Sequence, residues 1–463
     1  MKQPKSTDLI LKNAKKLHMI GIGGSGMCPL VEILHSRGYH IEGSDNNPSD
    51  IVEKVRSLGI KVTIGHNEDN LNSPDVVIYS AAINSENPEL KKAREMGIPC
   101  LERSLVLGAV SRDFNNVIGV SGTHGKTTVT SMITQILMTA DLDPSAVIGG
   151  KLPLINTYGR AGKSDTFVCE ACEFVDTFLQ ISPDITVILN IDEDHLDYFK
   201  TVENLMASFR KFAESSSKTV IANGDDERTM IAIKGLDKEI ITFGFDSKND
   251  YYATNIELCD DGAYKYTLMH KGEKIVDIRL SSPGKHNILN SVAAAAAAML
   301  SGADKDSVAK GLYDFRGAGR RFEIVYIDDK GITVADDYAH HPAEIEATLK
   351  TAKSIAKYKR VIAVFQPFTF SRTVMLLDDF ASALAIADKS VITAIMGSRE
   401  VNTYGIKATD LSEKIENASQ FDTFDEVAEY TASIAQAGDL IITLGCGDIY
   451  KAGRKIIELL KNK

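Results

Sequence analysis

The 463-residue chain contains no tryptophan and only six cysteines. Six scattered thiols do not form the framework of a disulfide-stapled protein, and reduced cysteines in a cytoplasmic protein are expected. The one close pair, Cys169 and Cys172 in CEAC, has no second C-x-x-C to complete a zinc site. Long apolar runs are missing too. VAAAAAAML, Val292 to Leu300, is about half of what a bilayer crossing needs. Lysines interrupt the apolar runs of the opening MKQPKSTDLILKNAKKLHMI, so a signal-peptide pattern is absent. A surplus of positive charge is also lacking: 52 lysines and arginines face 63 aspartates and glutamates, a net charge of −11. That balance argues against nucleic acid or a membrane surface as a partner held by bulk charge. A small anion would need backbone N–H groups and a few local basic side chains instead.

What is present is a strand–helix rhythm. A composition of 44% hydrophobic and 25% charged residues is that of a soluble globular protein, and the length predicts two to four domains. Short apolar strands alternating with amphipathic helices imply parallel βαβ units. We therefore expect three α/β domains: a Rossmann-like domain over 1–113, a central P-loop ATPase-like domain over 114–319, and a second Rossmann-like domain over 320–463. Within the central one, YYATNIEL, AYKYTLMH and EKIVDIRL alternate apolar and polar residues, predicting a small antiparallel sheet beside the parallel one.

Two glycine loops carry chemistry. LHMIGIGGSGM has Gly21, Gly23 and Gly26 at the spacing G-x-G-x-x-G after a strand, with Asp45 about twenty positions later. That pattern cradles a pyrophosphate and on its own suits a nicotinamide-dependent oxidoreductase. GVSGTHGKTTVT, Gly119 to Thr130, is more demanding. A strand ends, the chain turns, and a helix opens. Backbone N–H groups from Gly122 through Thr123, His124, Gly125 and Lys126 to Thr127 and Thr128 would face the phosphates of ATP. Lys126 would reach the β- and γ-phosphates, and the Thr127 hydroxyl would ligate Mg²⁺. The Walker spacing puts its first glycine at position 120, where Val120 stands, so this is a variant loop. Glu170 and His195 follow apolar strands of the same domain and would lie on the same sheet edge as further metal ligands. For His195 a purely structural place stays open.

GIGGSGM, GTHGKTT, EACE, NIDEDHLD, HNILN, GAGRRFE, DDYAHHP and FQPFTFSRT occur in this order. Together they resemble the Mur ligase family over nearly the whole chain, with GIGGSGM and DDYAHHP most like its alanine-adding branch. The resemblance implies an ATP- and Mg²⁺-dependent ligase of peptidoglycan precursor synthesis. Such an enzyme joins L-alanine to the carboxylate of UDP-N-acetylmuramate through an acyl phosphate. It assigns catalysis to Lys126, Glu170 and His195, with Thr127, Glu170 and His195 on the metal. Asn287 and Asn290 would approach the adenine side, and Arg320 or Arg321 the phosphates. Gly23, Ser25, Gly26, Asp45 and Ser80 would hold the UDP-sugar, and Tyr338, His340 and Arg372 the amino acid. Without the family, HNILN reads only as a polar helix cap. Phe368 stands where many members carry histidine and cannot hydrogen-bond, and Cys172 stands for the aspartate of EADE. A relative adding another amino acid or a peptide is the alternative reading.

Overall fold

A computed structural model of the chain describes residues 5–398 and 400–462. Its apolar runs pair into three sheets. The first holds β1 (Lys16–Ile20), β2 (His40–Asp45), β3 (Lys61–Ile64), β4 (Val76–Tyr79) and β5 (Cys100–Glu102). Their order is β3-β2-β1-β4-β5, and each pair is parallel. The chain steps outward from β1 to β3, then returns to the other side of β1 at β4. Such a reversal opens a crevice beyond the carboxyl ends of the two strands, and Gly21 and Ser80 follow β1 and β4 at that point.

The second sheet has ten strands: β6 (Asn116–Ser121), β7 (Ser145–Leu152), β8 (Thr157–Arg160), β9 (Thr166–Glu170), β10 (Ile185–Ile188), β11 (Thr219–Asn223), β12 (Glu239–Gly244), β13 (Tyr251–Leu258), β14 (Tyr264–His270) and β15 (Glu273–Arg279). The order is β15-β14-β13-β12-β11-β10-β6-β9-β7-β8. β6 lies between β9 and β10 and is parallel to both, so the topology reverses here as well. The alternating strands β13 to β15 are appended to the edge of the central sheet, where β13 pairs with the exposed edge of β12.

The third sheet holds β16 (Glu323–Ile327), β17 (Thr333–Asp337), β18 (Arg360–Phe365), β19 (Lys389–Ile392), β20 (Ala418–Gln420) and β21 (Asp439–Leu444), ordered β16-β17-β21-β18-β19-β20. Only the edge pair β16–β17 is antiparallel, which makes the sheet mixed. The twofold alternation of a strand sorts its core. Val361, Ala363 and Phe365 of β18 join one apolar cluster, while Ile362 and Val364 join the other on the opposite face. A strand covered on both faces has no polar positions to spare, hence the unbroken RVIAVF. Ala293 to Ala298, in the helix His286–Leu300, are fully buried, as an alanine run packed closely against neighbours requires.

The chain forms two compact units. One comprises the residues up to Thr254 with Thr267–Ile278 and Leu289–Phe315; the other comprises Asn255–Tyr266, Arg279–Ile288 and everything from Arg316 onward. Among the described residues, no helix is long and apolar enough to cross a membrane.

Candidate active site

In the first unit, the loop after β6 is shaped by its neighbours. Gly125 sits at φ 87° as the residue before the helix Lys126–Thr139, a left-handed conformation that L side chains rarely adopt. A Cβ there would also come within 2.7 Å of Asn290 Oδ1. The loop is tied to the segment after β10: Thr123 N donates to Asn190 O at 3.0 Å, and His124 N to Asn190 Oδ1 at 2.8 Å. Thr123 Oγ1 accepts from Asp192 N at 2.8 Å.

Lys126 folds back over this loop. Its ammonium donates to Gly122 O at 2.6 Å and Thr123 O at 3.0 Å, and meets the buried Glu173 carboxylate at 3.0 Å. Burial pulls the lysine pKa down, but the opposing field of Glu173, with Cys172 and Glu170, outweighs it and holds the ammonium above the ordinary lysine range. Burial, reinforced by Glu173, pushes the Cys172 thiol up to about 11, so it stays protonated at neutral pH. Sequence reasoning gave Glu173 no role. It stands three residues beyond the end of β9, just before a turn in which Val175 and Asp176 are both at positive φ.

Glu170 ends β9 facing the same helix start. Its Oε2 accepts from Thr127 Oγ1 at 2.9 Å and from Gly149 N at 2.8 Å. A hydroxyl and a carboxylate in contact, both hard oxygen donors, fit the chemistry of a hard divalent cation. His195 has different neighbours. It sits at φ 54°, its ring lies 4.7 Å from that of Phe174, and Nε2 is 3.7 Å from Asp194 Oδ2. Among the described residues, no three His, Cys, Asp or Glu side chains gather closely enough to hold a metal ion.

The first glycine loop is built differently. Gly21 N and Ile22 N donate to Ser44 O at 2.8 and 3.1 Å, and Gly23 N donates to Asp45 Oδ2 at 2.9 Å. Ser80 N reaches Ile20 O at 3.3 Å, and Ser25 is exposed. Under this loop lies a buried network that sequence reasoning missed. Glu89 Oε2 receives His18 Nε2 at 2.7 Å and Ser44 Oγ at 2.7 Å; Oε1 receives Asn70 Nδ2 at 2.7 Å and Asn67 N at 3.2 Å. His66 Nδ1 lies 3.0 Å from Ser44 Oγ and 3.3 Å from Glu89 Oε1. Burial works against the charged Glu89, yet the bonds from His18, Asn70 and Ser44 prevail and hold its pKa at about 2. The only sequence signal was a histidine inside an apolar strand.

In the second unit, Arg320 is fully engaged locally. It pairs with Asp336 at 2.8 Å and donates to Gly447 O at 3.2 Å and Gly445 O at 2.6 Å. Both arginines lie over the Tyr338 ring, Arg320 at 5.0 Å and Arg321 at 5.3 Å, and Arg321 also lies within the field of two buried groups. Burial and Arg321 together lower the His286 pKa to about 4. Burial raises that of Asp337 to about 6, against Arg321 and the N–H groups of Ala339 and Phe322. Asn287 Nδ2 donates to Pro283 O at 2.7 Å. The Tyr338 and His340 rings meet edge to face at 5.5 Å, and His340 Nδ1 lies 3.3 Å from Glu344 Oε2. His341 caps the helix Pro342–Ser354. Arg372, on the helix Phe370–Met375, acts through its charge on Cys446, whose thiol burial nevertheless pushes up to about 12.

Comparison with known proteins agrees with this layout. Residues 16–115 match the catalytic domain of the Mur ligase family, 120–298 the Mur ligase middle domain, and 320–447 the Mur ligase glutamate ligase domain. The UDP-N-acetylmuramate–L-alanine ligase of Caldanaerobacter subterraneus subsp. tengcongensis is 42% identical over 97% of this chain and 99% of its own. That of Caldicellulosiruptor saccharolyticus is 44% identical over 97% and 98%. The crystal structure of the UDP-N-acetylmuramate–alanine ligase from Thermotoga maritima superimposes with a TM-score of 0.84 at 28% identity, covering 96% of this chain and 99% of that one. A murein peptide ligase from Psychrobacter arcticus shares the fold, with a TM-score of 0.75 at 24% identity over 97% and 99%. With relatives of this identity spanning both chains almost end to end, the chain belongs to the Mur ligase family.

Proposed function

We propose that this chain is an ATP-dependent ligase that joins L-alanine to the lactoyl carboxylate of UDP-N-acetylmuramate, giving UDP-N-acetylmuramoyl-L-alanine, ADP and phosphate in the cytoplasm. End-to-end similarity to relatives bearing that name carries the reading. The buried ammonium of Lys126, in a loop of phosphate-binding design, supports its chemistry. We allot 1–113 to the UDP-sugar, 114–319 to ATP and 320–463 to the amino acid.

A carboxylate is a poor acyl donor at neutral pH, so it takes the γ-phosphoryl group first. The transfer brings two anionic oxygens together, and Lys126 supplies positive charge where it develops. This ammonium rests on two loop carbonyls and Glu173, which keep it charged and aimed at the loop. Thr127 and Glu170 would hold Mg²⁺, with His195 from the segment after β10; when bound, the cation neutralises phosphate charge. Asn290, against Gly125, and Asn287 would approach the adenine side. Since Arg320 is occupied by Asp336 and two carbonyls, Arg321 is the arginine we assign to the phosphates. Arg372 would clamp the alanine carboxylate through its planar fork. Tyr338 and His340, fixed edge to face, would bound the pocket that receives the amine attacking the acyl phosphate. Gly23, Ser25, Gly26, Asp45 and Ser80 would hold the UDP moiety at the reversal point between β1 and β4.

The test is phosphate release with ATP, Mg²⁺ and UDP-N-acetylmuramate, screened across amino acids and murein peptides. Release dependent on L-alanine is expected. Release with a peptide but not with alanine, glycine or serine would replace the reading with that of a peptide-adding relative.

A further inference from the structure

The loop after β1 has an acidic end and, less obviously, a basic one. At Gly23 the Asp45 carboxylate accepts the backbone N–H, and its other oxygen takes Asn47 N at 3.1 Å. At Gly26 the neighbour is Arg103, the first residue of the helix Arg103–Arg112 that follows β5. A Cβ placed on Gly26 would lie 3.5 Å from Arg103 Cδ, Nε and Cζ alike. The guanidinium therefore lies flat along the loop, and glycine leaves that face open. Arg103 is half-buried, and among the described residues no acid, carbonyl or ring pairs with it. The adjacent Glu102 is turned to cap its own helix, accepting from Ser104 N at 2.9 Å. The backbone N–H groups of Ser25 and Gly26 likewise find no acceptor among the described residues.

A half-buried guanidinium without an anion loses hydration and gains no ion pair in return. Two free N–H groups beside it, in a chain of net charge −11, complete a three-sided donor set. The polarity of the loop then matches one kind of ligand. Hydroxyl groups suit the Asp45 end and a doubly anionic phosphate group suits the Arg103 end, as in a nucleoside diphosphate. We infer that Arg103 is the side chain that binds the diphosphate of the UDP-sugar, at Gly26, in the nucleotide site proposed above, on which this inference rests.

Arginine fits because its planar fork meets two phosphate oxygens at once. The experiment is calorimetric titration of the full chain with UDP and with uridine, for wild type, Arg103→Gln and Arg103→Lys. Charged hydrogen bonds of this kind change affinity by about 10- to 100-fold. Arg103→Gln should weaken UDP by that factor and leave uridine and ATP unchanged. Arg103→Lys should fall between, since it keeps the charge and loses the fork. UDP binding unaltered in Arg103→Gln would overturn the inference, as would equal losses for UDP and uridine, which mark a structural role. Should the glutamine variant fail to fold, Arg103→Lys decides alone: UDP weakened with uridine unchanged supports the inference, and no change refutes it. A wild-type chain that binds neither UDP nor UDP-N-acetylmuramate would instead remove the nucleotide site itself.

Discussion

The two glycine loops follow parallel strands at equivalent places, each where its sheet reverses direction, yet they differ in where their positive charge resides. The loop after β6 carries its own lysine, neutralised internally by Glu173 and two carbonyls. The loop after β1 contains no basic residue, and its cation comes from the helix after β5. A group that is transferred needs charge that moves with the reaction, on a flexible stem. A group that is only held can be met by a rigid fork from a distant segment. On the proposed assignment both loops hold phosphate, and the origin of the cation separates transfer from retention.

The largest test of that contrast is Lys126→Ala. Loss of this ammonium should lower kcat for phosphate release by about 10³-fold. Breaking a buried pair by removing one partner also costs roughly 3–5 kcal/mol, so a lower melting temperature is expected. Adding Glu173→Gln should restore much of that stability and none of the turnover. A single variant keeping a tenth of wild-type kcat would break the distinction between the loops.

Next come two alanine substitutions. Gly125→Ala places a methyl group against Asn290 in a left-handed turn, whereas Gly23→Ala drives it to 2.5 Å from Val52 Cγ2. The first should raise KM for ATP about tenfold or more with little effect on the UDP-sugar, and the second should do the reverse. Steady-state kinetics with each substrate varied separately will sharpen the assignment, and both variants acting on the same KM would merge the two sites.

The smallest effect concerns the footing of the first loop. Glu89 titrates at about 2 instead of its ordinary 4.5. Its folded pKa is depressed, so its contribution is complete above about pH 4.5 and fades as pH falls toward 2. Acid unfolding monitored by circular dichroism should show a loss of order 3 kcal/mol in that window for wild type. In Glu89→Gln the same window should be flatter, with stability reduced at neutral pH. Parallel curves would show that the network contributes nothing through charge.

How much of this was legible in the sequence differs residue by residue. Lys126, Thr127 and Glu170 could be brought to one place because a parallel sheet ends along one edge, and the Thr127–Glu170 hydrogen bond joins two of them there. Glu173 could not be placed, since it lies beyond the end of β9, where no strand alternation sets the direction of a side chain. Glu89 stands in the first turn of a short helix, with nothing local to mark it, and it is buried where β1, β2 and the loop after β3 supply its hydrogen-bond partners. GRRFE offered two arginines with nothing local to separate them. Their roles divide once Asp336 and the turn after β21 come alongside Arg320.

The interleaving of the two units also sets a schedule for synthesis. Asn255–Tyr266 and Arg279–Ile288 belong to the second unit, although most of that unit begins only at Arg316. A ribosome will therefore have released these two segments, in which Ala263, Tyr266 and Leu280 are buried in the finished protein, before the rest of their unit has been made. During that interval these residues stand as bare apolar surface on a nascent chain, which is the condition under which chains aggregate or recruit chaperones. Cutting the gene at the junction near residue 315 would make the interval permanent.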